Sequence, residues 1–478
     1  MSQPSSLVAA HTLFQEALVL MDAGETARAC ECLHEACRQA PHFSEAWTNL
    51  GYLLASGGDA AGAERCYRQA RQLGSAHPRL YLNYGALLAA RGLRAEAEAI
   101  YREGLDAAPD DADLWSNLGV LFANLKRDTY AEFCLRTALE IAPDHRNARY
   151  NLGYLQLCQG KYREGFAAFE ARDWRNPLDA ALDAAGLARW RGEPLGGQRI
   201  LIGCEAGHGD MIQFCRYVGV LRERGAARVD ILCHAGLRRL FTGLAGVGRV
   251  MAYEPSLQLE TTDWDYWSPA MSLPHACGSD LADLPGRRPY LFPFAGDALR
   301  WRQRLADALP AGALRVGLAW RGSPRFENDR ERSLPGPQLF APLATVPGVA
   351  FVNLQKHLSP AEAAALPPGT LDAGSALDDF ADTAALVDAL DLVISVDTAI
   401  AHLAGALGKR CWVMLPAYAT DWRWGRHDDD APWYPGVLRL FRQTDPGDWH
   451  PVIEALTHAL AAQRAPHAEP ATCAARAT

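Results

Sequence analysis

The chain has 478 residues, a formal net charge of −9 and twelve cysteines. That length exceeds one ordinary core and suits about three domains, and a mildly negative chain without a long basic run argues against nucleic acid or an anionic membrane as main partner. The start, MSQPSSLVAAHTLF, lacks the basic region and unbroken apolar core of a secretion signal, and no stretch reaches the length of a membrane span, so a cytoplasmic location is expected. Scattered cysteines suit reduced thiols. Cys30, Cys32 and Cys37 cluster, but inside a helical repeat without the turn a zinc knuckle needs, and no metal site is expected.

The first predicted elements are helical and periodic. Gly51, Gly85, Gly119 and Gly153 are each 34 apart, as are Ala29, Ala63, Ala97, Ala131 and Gly165, and Leu33, Tyr67, Tyr101, Leu135 and Phe169. Trp47, Tyr81 and Trp115 precede their glycines by four, while Pro41, Pro109 and Pro143 close units. Such a period implies a pair of antiparallel helices per unit, small residues where helices cross and large ones filling the space between units. The pattern resembles the tetratricopeptide-repeat family over residues 7–172, about five repeats. The resemblance implies a surface that binds a protein or peptide; a spacer or a dimerisation surface is the plainer reading. Nothing in the repeats supplies a nucleophile or paired catalytic acids.

Residues 173–197, with Trp174, Pro177, Trp190 and Pro194, break the period and read as a connector packed by its tryptophans. A first α/β region follows over 198–310. A strand at 199–202 runs into a glycine-rich loop and a helix at 211–224, with further strands expected at 229–233, 249–252, 264–267 and 290–292. The loop is not the dinucleotide fingerprint. Gly207 and Gly209 are expected to let the backbone turn and leave Asp210 at the helix start. There it is either a base for an attacking hydroxyl or a helix cap. His208 and Glu205 are further candidates for proton transfer or hydrogen bonding, and Gln213 for contact from the first turn.

The second α/β region spans 311–463. After a strand at 314–320 come Arg321, Arg325, Arg330 and Arg332, whose guanidinium forks suit a diphosphate; interleaved acids equally allow a surface loop with internal ion pairs. A strand at 349–354 ends in Gln355 and Lys356, and a helix covers 377–390, with Asp382 and Thr383 as candidates to start or interrupt it. The strand 391–396 ends at Asp397 and Thr398, ahead of a helix that runs from Ala399 to Leu407. The free N–H groups of that helix start suit a phosphate, unless Asp397 only caps the helix. His402 lies four residues after Thr398 on one face, to pack or to donate to a phosphate oxygen. Asp421, Trp422, Arg423 and Trp424, with Trp433 and Tyr434, either stack on a base or sugar or pack a corner. Strands at 411–415 and 437–441 and a helix at 448–463 complete the region, and a tail, 464–478, is expected to be disordered. Each ligand candidate here follows a strand, as in a nucleotide site on a parallel sheet.

Taken together, GxGDxIQFxRY at 207–217, AWRGSP at 319–324, NDRERS at 328–333, LQK at 354–356 and SVDTAxAHLAGALG at 395–408 resemble bacterial tetratricopeptide-repeat glycosyltransferases. The C-terminal half of those proteins is similar to the lipopolysaccharide heptosyltransferases, of GT-B fold. The resemblance implies an all-α solenoid followed by two facing α/β nucleotide folds, acceptor side first and nucleotide-sugar donor side second, with no metal and no cofactor beyond the donor. It implies Asp210 as general base and Asp397, Thr398, Ala399 and His402 as the donor-diphosphate turn, with Arg332 near the place of a phosphate-binding lysine. Two positions depart from the pattern: His208 stands where Leu, Ile or Met is usual, and Ala206 where Gln is frequent. The expected function is sugar transfer to an acceptor hydroxyl, the acceptor a polypeptide recruited by the repeats, such as a surface or flagellar protein. The alternatives are a glycolipid or polysaccharide acceptor, and a non-catalytic scaffold with a degenerate transferase domain.

Overall fold

The 34-residue step becomes helix pairs in the computed structural model, which describes residues 3–172, 177–254, 259–285 and 289–464. Trp174 of the connector and the tail beyond 464 lie outside these residues. The chain divides into two compact units, Met1–Leu155 and Gln156–Thr478. In the first, α1 (Gln3–Asp22) pairs with α2 (Thr26–Gln39), α3 (Ser44–Ser56) with α4 (Ala60–Gln72), α5 (Pro78–Ala90) with α6 (Arg94–Ala107) and α7 (Ala112–Asn124) with α8 (Asp128–Ile141), before α9 (Arg146–Cys158). Glycine is required where a ring seats within a pair: a methyl on Gly51 would stand 2.6 Å from Tyr67 Cε1. The large residues of the repeat therefore face the glycine of their own pair as well as filling between units. Leu80, Tyr84, Tyr101, Leu114, Leu118 and Leu135 belong to one continuous buried cluster.

The second unit begins earlier than the repeat arithmetic suggests. Its first helix, α10 (Tyr162–Phe169), belongs to the fifth repeat, yet the Tyr162 ring stacks on Trp433 at 5.8 Å and Phe166 meets Trp422 edge-on at 5.6 Å. Next come α11 (Pro177–Ala184) and β1 (Ala188–Arg189), so the connector contributes an edge strand. Its Trp190 is buried, with Nε1 donating to Glu193 O at 2.8 Å.

β2 (Arg199–Gly203), β3 (Arg228–Cys233), β4 (Val247–Ala252) and β5 (Tyr266–Pro269) form with β1 an all-parallel sheet in the order β1-β5-β2-β3-β4. The helix expected over 211–224 is broken into α12 (His208–Phe214) and α13 (Tyr217–Glu223). α14 (Arg238–Thr242), α15 (Leu273–Ala276) and α16 (Ala295–Ala308) follow. The strand expected at 290–292 does not form; the Tyr290 and Leu291 N–H groups instead donate to Ala406 O at 3.0 and 3.3 Å.

β6 (Leu314–Ala319), β7 (Val349–Asn353), β8 (Leu371–Asp372), β9 (Leu392–Val396), β10 (Cys411–Leu415) and β11 (Leu438–Arg442) make the second parallel sheet, ordered β11-β10-β9-β6-β7-β8. Its helices are α17 (Asp329–Arg332), α18 (Pro360–Ala365), α19 (Phe380–Asp388), α20 (Ala399–Ala406) and α21 (His450–Arg464). Both architectures suit α/β nucleotide folds, because each strand order reverses once, at β2/β5 and at β6/β9, and crevices open beyond the carboxyl ends of strands at such points. Among the described residues no helix is long and apolar enough to cross a membrane, and no group of three His, Cys, Asp or Glu could hold a metal.

Candidate functional site

All five residues of β9 are buried, and the chain leaves the sheet through Asp397 and Thr398 into α20. Thr398 is the cap: its Oγ1 accepts the Ile400 N–H at 3.3 Å and shares a hydrogen bond with Ser395 Oγ at 3.0 Å. The capping role open to Asp397 thus falls to its neighbour. Ala399 opens α20 one position later.

On the first sheet, β2 turns into α12 through Ala206, a non-glycine residue at φ 55. The tight turn rests there, since Gly207 is extended at φ −98 and Gly209 lies inside the helix. Gly207 is the N-cap residue, and its N–H donates to Asp210 Oδ2 at 2.8 Å, so Asp210, three residues into α12, closes the helix start as a capping-box acceptor. What Gly209 provides is proximity: a Cβ there would lie 2.9 Å from His402 Cδ2 and 3.5 Å from Ala399 Cα. The starts of α12 and α20 therefore meet, bringing Gly207, Gly209 and Asp210 to the turn at Asp397 and Thr398.

The group tying α12 to the second sheet's half is Arg423, from the short 3-10 turn Trp422–Trp424 beyond β10. Its buried guanidinium pairs with Asp210, donates from Nε to Gln213 Oε1 at 2.6 Å, and gives Nη1 to both Asp421 oxygens at 3.0 and 3.1 Å. Gln213 is fully buried, and its Nε2 has no partner among the described residues. A second buried arginine, Arg216, also spans the two halves of this unit, donating to Trp433 O at 3.2 Å and to Tyr290 Oη at 2.9 Å.

The Asp397 carboxyl is pushed up to about 6, first by burial and then by the negative charge of Asp421, against the pull of Arg332 and Trp424. His402 is driven well below its ordinary value by burial and by the charges of Arg423, Arg216 and Arg332. It is held neutral, with Nδ1 at 3.0 Å from Tyr434 Oη and its ring stacked on Trp424 at 5.2 Å. Arg332 completes the turn, donating to Asp397 O at 2.8 Å with its guanidinium over Phe326 at 4.3 Å.

Other candidates are engaged elsewhere. Arg321 donates to Glu362 at 3.0 Å, and its N–H to Gln355 Oε1 at 3.2 Å; Lys356 Nζ donates to Leu377 O at 2.6 Å. These three brace the carboxyl ends of β6 and β7, so internal ion pairing describes Arg321 better than a diphosphate cradle does. Arg330 is exposed. Glu205 is buried, accepting Arg172 Nε at 2.7 Å and the Met271 N–H at 2.9 Å, so its carboxylate is a structural acceptor. His208 lies between His234 at 4.4 Å and Phe380 at 5.1 Å, and burial lowers it to about 4. That imidazole is neutral at pH 7 and sandwiched, not poised to exchange protons.

Three tetratricopeptide-repeat family models match residues 14–78, 78–121 and 112–145. Protein FlbA of Caulobacter vibrioides is 29% identical over 336 residues, 64% of this chain and 53% of its own length. The chain thus spans about half the length of that homologue. Among solved structures, Pseudomonas aeruginosa PilF is 18% identical and covers 50% of this chain, 95% of PilF, at a TM-score of 0.35. A thermophilic repeat protein of Thermus thermophilus is 20% identical and covers 37% of this chain, 98% of its own, at 0.32. YrrB, described as a TPR protein with an unusual peptide-binding site, is 19% identical, covering 37% of this chain and 91% of its own at 0.29. Residues 14–145 accordingly form a tetratricopeptide-repeat array.

Proposed function

We propose that the second unit is a GT-B type glycosyltransferase, taking a sugar from a nucleotide-sugar donor to an acceptor hydroxyl, and that the repeats recruit a polypeptide acceptor. The observation that carries this reading is the meeting of α12 and α20, which sets Gly209, the neighbour of Asp210, against Ala399 at the start of α20, while Arg332 donates to Asp397 O on the same turn; a helix start and a guanidinium are the donors a departing diphosphate requires. In the reaction, Asp210 takes the proton of the acceptor hydroxyl while that oxygen attacks the anomeric carbon. The bond from that carbon to the diphosphate oxygen breaks, and the nucleoside diphosphate leaves with its charge facing α20 and Arg332. His402 stays neutral, and Asp397 becomes so below a pH of about 6, which removes negative charge from beside the leaving group and leaves N–H and O–H groups to donate. Gln213 Nε2 is a buried donor available to an acceptor oxygen.

One observation favours the non-catalytic reading: both Asp210 oxygens already accept hydrogen bonds, from Arg423 and from Gly207 N–H. For transfer, one of these contacts gives way to the acceptor. The test is a thermal-shift screen of nucleotides and nucleotide sugars, followed by turnover of the stabilising donor with Asp210→Asn. Transfer should fall by about a thousandfold or more while donor affinity stays within a few-fold. Undiminished turnover would remove Asp210 from the chemistry, and a folded chain that binds none of the donors would leave the scaffold.

A further inference from the structure

His402 is 5% exposed, and its imidazole is fixed from several directions. The backbone of α20 sets its root, Trp424 stacks on the ring at 5.2 Å, and Nδ1 lies 3.0 Å from the hydroxyl of Tyr434, in the segment between β10 and β11. The opposite edge of the ring, which carries Cδ2 and then Nε2, faces the α12–α20 junction. Cδ2 is 2.9 Å from where a Cβ on Gly209 would stand, and that point is 3.7 Å from Ala399 N. Among the described residues Nε2 has no hydrogen-bond partner. A buried imidazole with one nitrogen satisfied and the other unpartnered at a helix start points to a ligand, and the kind it takes depends on which nitrogen carries the proton.

The surroundings decide that. His402 is neutral, because burial and the charges of Arg423, Arg216 and Arg332 disfavour a second proton. Its one proton sits either on Nδ1, donating to Tyr434, or on Nε2, with the Tyr434 O–H donating to Nδ1. In the first arrangement the hydroxyl proton of Tyr434, a residue 3% exposed, meets no acceptor among the described residues, and an unmade hydrogen bond in a buried place is costly. The Tyr290 hydroxyl in the same pocket is committed, accepting from Arg216 Nη2 at 2.9 Å and donating to Ile212 O at 3.1 Å. Arg216 weighs on the same side. Its guanidinium lies over the Tyr434 ring at 4.8 Å, and that charge favours release of the phenolic proton, which strengthens the O–H as a donor. We propose that Tyr434, backed by Arg216, is a positioning residue that holds His402 in its Nε2–H form, so that the junction presents an imidazole N–H beside the first N–H of α20 to an anionic oxygen of the ligand. The assignment of the ligand oxygen to a diphosphate rests on the transferase reading; the tautomer does not.

Two-bond proton–nitrogen NMR spectra of the full chain, labelled with 15N-histidine, read the tautomer directly, and the signals lost in His402→Gln assign it among the 14 histidines. At pH 7 His402 should be in the Nε2–H form alone, and its Nε2 signal should move on titration with inorganic pyrophosphate, adenosine diphosphate or uridine diphosphate. In Tyr434→Phe, whose ring still fills the space against Gly405, His402 should exchange between both forms, and pyrophosphate affinity should fall about fivefold or more. Tyr290→Phe removes a hydroxyl from the same pocket but not from Nδ1, and should keep the parent's tautomer. A parent in the Nδ1–H form, a Tyr434→Phe variant that stays in the parent's single form, or an equal change in Tyr290→Phe would overturn the proposal and leave the transferase reading standing. Parent signals indifferent to all three phosphates, with the tautomer as assigned, would overturn the anionic ligand and the transferase reading together.

Discussion

Arg423 concentrates the consequences that belong to single residues. Its guanidinium satisfies Asp210, Asp421 and Gln213 at once from a buried position. Arg423→Met would leave two carboxylates without their cation, at a cost of about 3 to 5 kcal/mol, readable as a lowered urea midpoint. Arg423→Lys should recover only part of that loss, since an ammonium cannot fork to three partners. Asp397 gives a pH prediction. With its carboxyl raised to about 6, it is largely protonated below that pH and anionic above. Donor affinity, measured calorimetrically with a nucleotide sugar, should therefore weaken as pH rises from 5 to 7.5, and a flat profile would place the diphosphate away from Asp397. A raised acid also stabilises the fold more below its ordinary pKa than above 6, so the ligand-free protein should lose a little stability over the same rise. Asp210 and Asp397 stood out in the sequence because each lies in the stretch that follows a strand, and His402 because it falls four residues after Thr398 on a helix face. Arg423 was visible only as part of an aromatic stretch, because an ion pair with a partner more than 200 residues away leaves no local pattern.

Elements were legible where periodicity or a long apolar run specified them. β10 and the repeat helices follow directly from such patterns, whereas the two-residue strands β1 and β8 are too short to show one. The break between α12 and α13 was hidden because apolar spacing continues through it. A second glycine series makes a sharper test of the repeat logic: Gly24, Gly58, Gly92 and Gly160 hold left-handed turns at φ 75, 87, 78 and 76, while Lys126 fills the same position at φ 58. A side chain pays for that conformation, so Lys126→Gly should stabilise the array by about 0.5 to 1 kcal/mol, seen as a higher melting temperature. Gly209→Ala should act the other way. The added methyl must push α12 from His402 and Ala399, costing about 1 to 3 kcal/mol of stability and weakening donor binding, whereas Gly219→Ala, with nothing within 4 Å of its Cβ, should be benign.

For the whole molecule, repeat arithmetic placed the edge of the helical array at 172, but packing places the start of the second unit at Gln156. A fragment of residues 156–478 should therefore be soluble and cooperative, while one of 173–478, stripped of Tyr162, Phe166 and Phe169, should uncover Trp422 and Trp433 and melt lower or aggregate; equal melting curves would refute that boundary. Sequence periodicity cannot report this, because α10 keeps the repeat spacing while its rings pack on tryptophans more than 250 residues away. Within the second unit, Arg216, Arg423 and Arg239, the last paired with Asp379 at 2.7 Å, all cross from one sheet's half to the other's. Their consequence lies in time as well as affinity. On the transferase reading, a donor held beside the α12–α20 junction would leave only as fast as these straps let go, and release would set the pace of the cycle. Salt, which screens the half-exposed Arg239–Asp379 pair far more than the buried Arg423, should speed the exit of a bound nucleotide in stopped-flow only as far as Arg239 holds the halves together.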